Sequence, residues 1–160
     1  MNWKLILIGG IVFFVVQFLI GMVTGPVIHQ GVLDEAYKAT ASFWRPELMQ
    51  DPPDMASLMP RWIAAGLLGA FVLAGIYGAI RHAFSGAGYL RGAKYGFVLF
   101  LVTATMMIGW SGVFNLPNQI WLWWMAESLV SLIVAGAALG WVAEKFAPGP
   151  HAMPGLHGAT

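Results

Sequence analysis

Four long apolar stretches, at about residues 5–23, 62–80, 93–113 and 120–142, constrain this chain more than any other feature. Each is roughly 20 residues, and a helix rising about 1.5 Å per residue then crosses a hydrocarbon core about 30 Å thick. An open strand in lipid leaves its backbone polar groups unsatisfied, so the stretches are predicted to be helices. The expected fold class is all-α, an integral membrane four-helix bundle with antiparallel neighbouring spans and one longer outer loop between spans 1 and 2. Composition agrees, since 59% of the 160 residues are hydrophobic and 9% charged, against roughly 25% charged in an ordinary soluble domain. Residues 1–146 read as one transmembrane domain, and 147–160, rich in proline and glycine with little to bury, as a disordered cytoplasmic tail.

The first stretch is a span rather than a secretory signal. Its apolar run exceeds the roughly 7 to 15 residues of a signal core, and no small-x-small cleavage site follows at Thr24-Gly25-Pro26. Orientation comes from the basic residues at the span ends. With the amino terminus in the cytoplasm, Lys4, Arg81, Arg91, Lys94 and Lys145 lie inside and Lys38, Arg45 and Arg61 outside. Both termini are therefore expected in the cytoplasm. Aromatic residues fall where interfacial belts belong, with Trp3, Tyr89, Tyr95 and Trp141 at the inner face and Trp62, Trp110, Trp121, Trp123 and Trp124 at the outer.

The connections differ in length. Gly25-Pro26 is expected to end the first span, because proline cannot continue the hydrogen-bond ladder. Asp34 then caps a short helix through about Trp44, stopped by Arg45-Pro46. On it Leu33, Tyr37, Ala41 and Trp44 share a face. Asp54 or Ser57 caps the second span, which Pro60 either begins or kinks. Ser85-Gly86-Ala87-Gly88 reads as a short hairpin, and Asn115-Leu116-Pro117 as a turn before the fourth span, with Asn118 as its cap.

In Ala36-Tyr37-Lys38-Ala39-Thr40 and the tetrad Trp44-Arg45-Pro46-Glu47, the chain resembles a family of small, uncharacterised four-span bacterial membrane proteins. Leu90-Arg91-Gly92-Ala93-Lys94-Tyr95-Gly96 is similar to the basic start of their third span, and Asn115-Leu116-Pro117 to their last turn. The resemblance covers most of residues 1–146 and implies a compact bundle in a bacterial inner membrane. It implies no activity. Pro52-Pro53 and the proline-rich tail depart from the pattern.

One carboxylate, Glu127, lies within a span, and an ionisable group there should face protein or water rather than lipid. Counting helical rise puts Gln17 and Thr105 at a similar depth, roughly 9 to 12 Å below the outer ends of their spans, so the three form a candidate intramembrane polar cluster. Three roles are open to it. Glu127 is a protonated acid clasped to Gln17 that fixes helix register, a proton- or cation-responsive carboxylate in a cavity open to the outside, or a carboxylate close enough to the interface to be hydrated. No second acid or base is expected within a span, which weighs against a transporter made of one copy. Gly69 is expected to let the second helix approach at this depth. Ala70, Ala74 and Gly78, then Gly136 with Gly140, and Gly92 with Gly96, repeat every four residues and permit close helix packing within one bundle or between copies. In the outer loop, Trp44, Arg45 and Glu47 read as a latch, with Arg45 bridging to Asp51 or to a lipid phosphate.

Scattered basic residues and a net charge of +1 set nucleic acid aside. The absence of cysteine excludes disulfides and thiolate chemistry. His29, Asp34, Glu35, Glu47, Asp51 and Asp54 match no metal spacing, and no catalytic or cofactor motif is present. No metal, cofactor or enzyme activity is therefore expected. The two functional readings are a membrane protein acting by interaction, as accessory subunit, scaffold or lipid contact, and an oligomeric transporter or channel using Glu127. Its expected partners are membrane lipid, a second copy or another membrane protein.

Overall fold

The structure is a computed structural model that describes residues 2–146. The expectation of a disordered tail at 147–160 lies outside the described residues. Five helices make up the fold: α1 Leu5–Val32, α2 Asp34–Ala39, α3 Met55–Ile80, α4 Gly88–Ser111 and α5 Asn118–Phe146. Among the described residues there is no strand. The helices α1, α3, α4 and α5 are long and apolar enough to cross a membrane, so the all-α four-helix bundle is present. The packing order is not the chain order. α4 lies along α5, α5 against α1, and α1 against α3. Tyr95 ties α4 back to α3, its hydroxyl donating to the Leu73 carbonyl at 2.8 Å and its ring 5.1 Å from that of Tyr77.

The first span does not end at Gly25-Pro26. It continues to Val32 in π-helical winding over Gly25–Val32, with the Leu33 N–H bonded to the Ile28 carbonyl at 2.8 Å. Proline normally excludes helical backbone at the residue before it by clashing with that residue's Cβ, and Gly25 has none. Gly25 accordingly stays helical at φ −52° and ψ −57°. Proline removes one rung, and the wider winding resumes the ladder beyond it. Helix α2 is shorter than expected and is not capped by Asp34. Leu33 takes the cap position, and Asp34 instead pairs with Lys38 one turn on at 2.6 Å. Asp54 does cap α3, accepting from the Ser57 N–H at 3.2 Å, and Pro60 lies inside that helix rather than at its start.

The small residues act mainly inside the bundle. A Cβ on Gly92 would strike the Gly136 carbonyl oxygen, one on Gly140 the Gly88 carbonyl oxygen, and one on Gly96 the backbone of Leu132. The two backbones thus touch along the α4–α5 seam, an approach that only residues without Cβ allow. At the seam's end Glu144 accepts from the Gly88 N–H at 3.0 Å, placing a carboxylate at the start of α4. Ala70 and Ala74 are buried between helices, and Gly78 lies against Leu5. Gly69 has no neighbour within 4 Å of an added Cβ, so the expected close approach there is corrected: this face of α3 points out of the bundle.

Two apolar clusters result. One, including Leu5, Phe13, Ala74, Tyr77, Tyr95 and Leu139, fills the half of the bundle near the 84–87 turn, here the turn end. The other, Ile28, Leu33, Ala36, Leu116, Ile120 and Trp121, lies beneath α2 at the opposite, loop end.

Candidate functional site

Glu127 stands about two and a half turns into α5, in the zone between the two clusters. Its carboxylate accepts from the Thr24 hydroxyl at Oε1 and lies 3.0 Å from His29 Nε2 at Oε2. Both partners come from α1, and His29 reaches it because the π-helical turns carry the helix past Pro26. The other imidazole nitrogen, Nδ1, is 2.7 Å from the Tyr37 hydroxyl on α2. Trp124, one turn before Glu127 on α5, donates its indole N–H to the same hydroxyl at 2.8 Å. An unbroken line therefore runs from the short helix α2 through Tyr37 and His29 to Glu127.

The charge on Glu127 selects the tautomer. An ionised carboxylate can only accept, so in that state Nε2–H donates to it, Nδ1 accepts the Tyr37 O–H, and the Trp124 indole N–H occupies a tyrosine lone pair. Every donor of that state finds an acceptor. Thr24 has a second acceptor within reach, the Ile20 carbonyl at 3.0 Å, so its hydroxyl keeps a partner whether or not Glu127 is charged. At the loop end, burial is the main influence raising the Tyr37 hydroxyl above the ordinary tyrosine range, and the Glu127 charge adds to it against the Trp124 hydrogen bond.

Glu127 also lines a half-open cavity of about 360 Å³, together with Gln17, Ile20, Thr103, Ser128, Ser131 and Leu132. Gln17 is thus brought to the same cavity as Glu127 but is not its hydrogen-bond partner. Thr105 is not part of the site. It is exposed, and its hydroxyl donates to the Leu101 carbonyl of its own helix at 2.8 Å. Two residues along a helix turn the side chain by about 200°, so Thr103 takes the position that depth alone suggested for Thr105. Sequence reasoning missed His29, Thr24 and Tyr37 because it closed the first span at residue 25. Glycine immediately before proline was the signal that the helix could continue.

The loop tetrad folds on itself. Arg45 bonds Glu47 at 2.7 Å, not Asp51, because Pro46 starts a short 3-10 turn that brings the two side chains together. The guanidinium holds the Glu47 carboxyl below the usual carboxylate range. Trp44 packs edge-on against Tyr37, Phe43 and Trp124, at centroid distances of 5.1, 5.6 and 6.0 Å, and donates to Thr40 at 2.9 Å. It thereby covers the outer side of the Tyr37 hydroxyl line. Among the described residues no three His, Cys, Asp or Glu side chains come together. No family model, curated protein or solved structure matches this chain.

Proposed function

We propose that this chain is a multi-pass membrane protein of the bacterial inner membrane, both termini cytoplasmic, that takes up and releases a proton at Glu127 in support of transport. The observation that carries the reading is the continuous Tyr37–His29–Glu127 line ending at a polar cavity. A relay needs a second proton-carrying group beside the acid, and His29 supplies one. In the loading step the Tyr37 O–H proton passes to Nδ1 while the Nε2 proton passes to Glu127, and Tyr37 regains a proton from solvent. The products are a neutral carboxylic acid donating to bare Nε2 and an Nδ1–H donating to Tyr37. The reverse steps restore the carboxylate. The balance is one proton gained or lost, with a change of histidine tautomer.

The same geometry leaves less support for a purely interactive role, because the glycine faces of α4 and α5 are spent on each other. The test is proton uptake into vesicles reconstituted with the protein, read by a trapped pH indicator under an imposed potential. Glu127→Gln abolishes the uptake, and His29→Phe reduces it at least tenfold. Uptake unchanged by Glu127→Gln in correctly folded protein refutes the proposal.

A further inference from the structure

We propose that the cavity beside Glu127 binds a small organic cation, an ammonium head on a short hydrocarbon chain, in exchange for the Glu127 proton. The inference rests on the preceding reading of Glu127 as a group that gains and loses a proton, and it names what takes the proton's place.

Size comes first. About 360 Å³ is the liquid volume of about a dozen waters and falls at the lower end of small-molecule pockets. A dehydrated divalent ion needs far less room and several converging oxygen ligands, whereas this cavity offers one carboxylate. Charge comes next. Among the described residues Glu127 is the only ionisable one of the lining, which holds no lysine or arginine. An anion would meet the Glu127 charge with no cation to offset it, and a neutral solute would leave the carboxylate unpaired.

The polar lining favours a donor-rich head. Ser128 and Ser131 from α5, Thr103 from α4 and Gln17 from α1 line the cavity, and each side chain is able to accept a hydrogen bond. Among the described residues their side chains bond no protein group, unlike Thr105, which turns back to its own helix. Unpaired polar groups at this depth are costly in hydrocarbon, and an ammonium offers three donors to such acceptors. Ile20 and Leu132 add apolar wall for a short chain.

Exchange follows from the groups around the carboxylate. The titratable groups facing Glu127 are His29 from α1 and, beyond it, Tyr37 from α2. α4 contributes Thr103, which does not titrate, and α3 contributes no lining residue. As the ammonium pairs with Glu127, the acid proton moves to Nε2, the Nδ1 proton moves to Tyr37, and a Tyr37 proton leaves to solvent. One positive charge enters the site and one leaves.

The experiment is calorimetric titration of the full chain in neutral-detergent micelles with n-butylammonium, and with 1-butanol as the uncharged counterpart. Butylammonium binds with release of protons, seen as a dependence of the heat on buffer ionisation enthalpy, and binds more weakly as pH falls. Butanol binds at least tenfold more weakly. Ser131→Leu fills the cavity without replacing a member of the Tyr37–His29–Glu127 line, so it removes butylammonium binding while the far-ultraviolet circular dichroism of the helices stays as in the parent protein. Equal affinity for butanol, or binding unchanged by Ser131→Leu, overturns the proposal. Proton uptake in vesicles with no butylammonium binding makes the cavity a water path and sinks this inference alone. Binding without any proton release or uptake sinks the proton reading instead.

Discussion

The α4–α5 seam gives a quantitative prediction through two glycine-to-alanine changes that differ only in what the new methyl group meets. In Gly92→Ala the added Cβ lands on the Gly136 carbonyl and within 2.8 Å of the Gly140 Cα, with backbone rather than flexible side chain in the way. The helices must separate along the seam, and overpacking of this kind costs about 3 kcal/mol. Alanine's better helix propensity returns about 1 kcal/mol. The net loss is about 2 kcal/mol, roughly thirtyfold in the unfolding constant. In Gly69→Ala nothing lies within 4 Å of the Cβ, so only propensity acts and the protein gains up to about 1 kcal/mol. Reversible unfolding in mixed micelles, followed by far-ultraviolet circular dichroism, measures both. A Gly92→Ala protein as stable as the Gly69→Ala protein would refute the seam as a backbone-to-backbone approach.

The loop and its line to Glu127 carry three more predictions. The Tyr37 phenolate forms above the usual range near pH 10, since burial raises it. The folded state holds that proton more tightly than the unfolded, so this group's contribution to stability is full below about pH 10 and is lost as pH rises through the folded value. Absorbance near 295 nm follows the titration, and Glu127→Gln shifts the midpoint down by removing a nearby negative charge. Arg45→Ala returns the Glu47 carboxyl, now held low by the Arg45 pair, toward the ordinary value. Carbon-13 NMR reads this as a later onset of ionisation, and an unmoved titration excludes the pair as the cause. In this cysteine-free chain, Ser42→Cys and Ser85→Cys label with an impermeant thiol reagent from opposite faces of sealed vesicles, and same-face labelling would overturn the four-span topology.

The spans were legible because hydrophobic length is a one-dimensional property of sequence. The depth of Glu127 was legible for the same reason, since rise per residue converts position into distance along an axis. Azimuth was not. Thr103 and Thr105 differ little in depth and face opposite ways, and only packing against α1 and α5 decides which meets the cavity. The glycine repeats announced close approach, yet the partner of Gly92 and Gly96 emerged only when α4 came to lie along α5. His29 was hidden by a local rule, the stop at proline, that the glycine before it sets aside. The latch residues Arg45 and Glu47 proved to be partners, as two opposite charges flanking one proline allow.

The winding of Gly25–Val32 places the histidine on a helical phase that ordinary α winding would not give. If this segment tightened by one residue of register, the ring would swing by about 100° around the axis and leave the carboxylate. Thr24, before Pro26 on the chain, would stay where it is. The winding of Gly25–Val32 is therefore what joins the acid to the loop end, and Thr24 is the contact to α1 that does not depend on it.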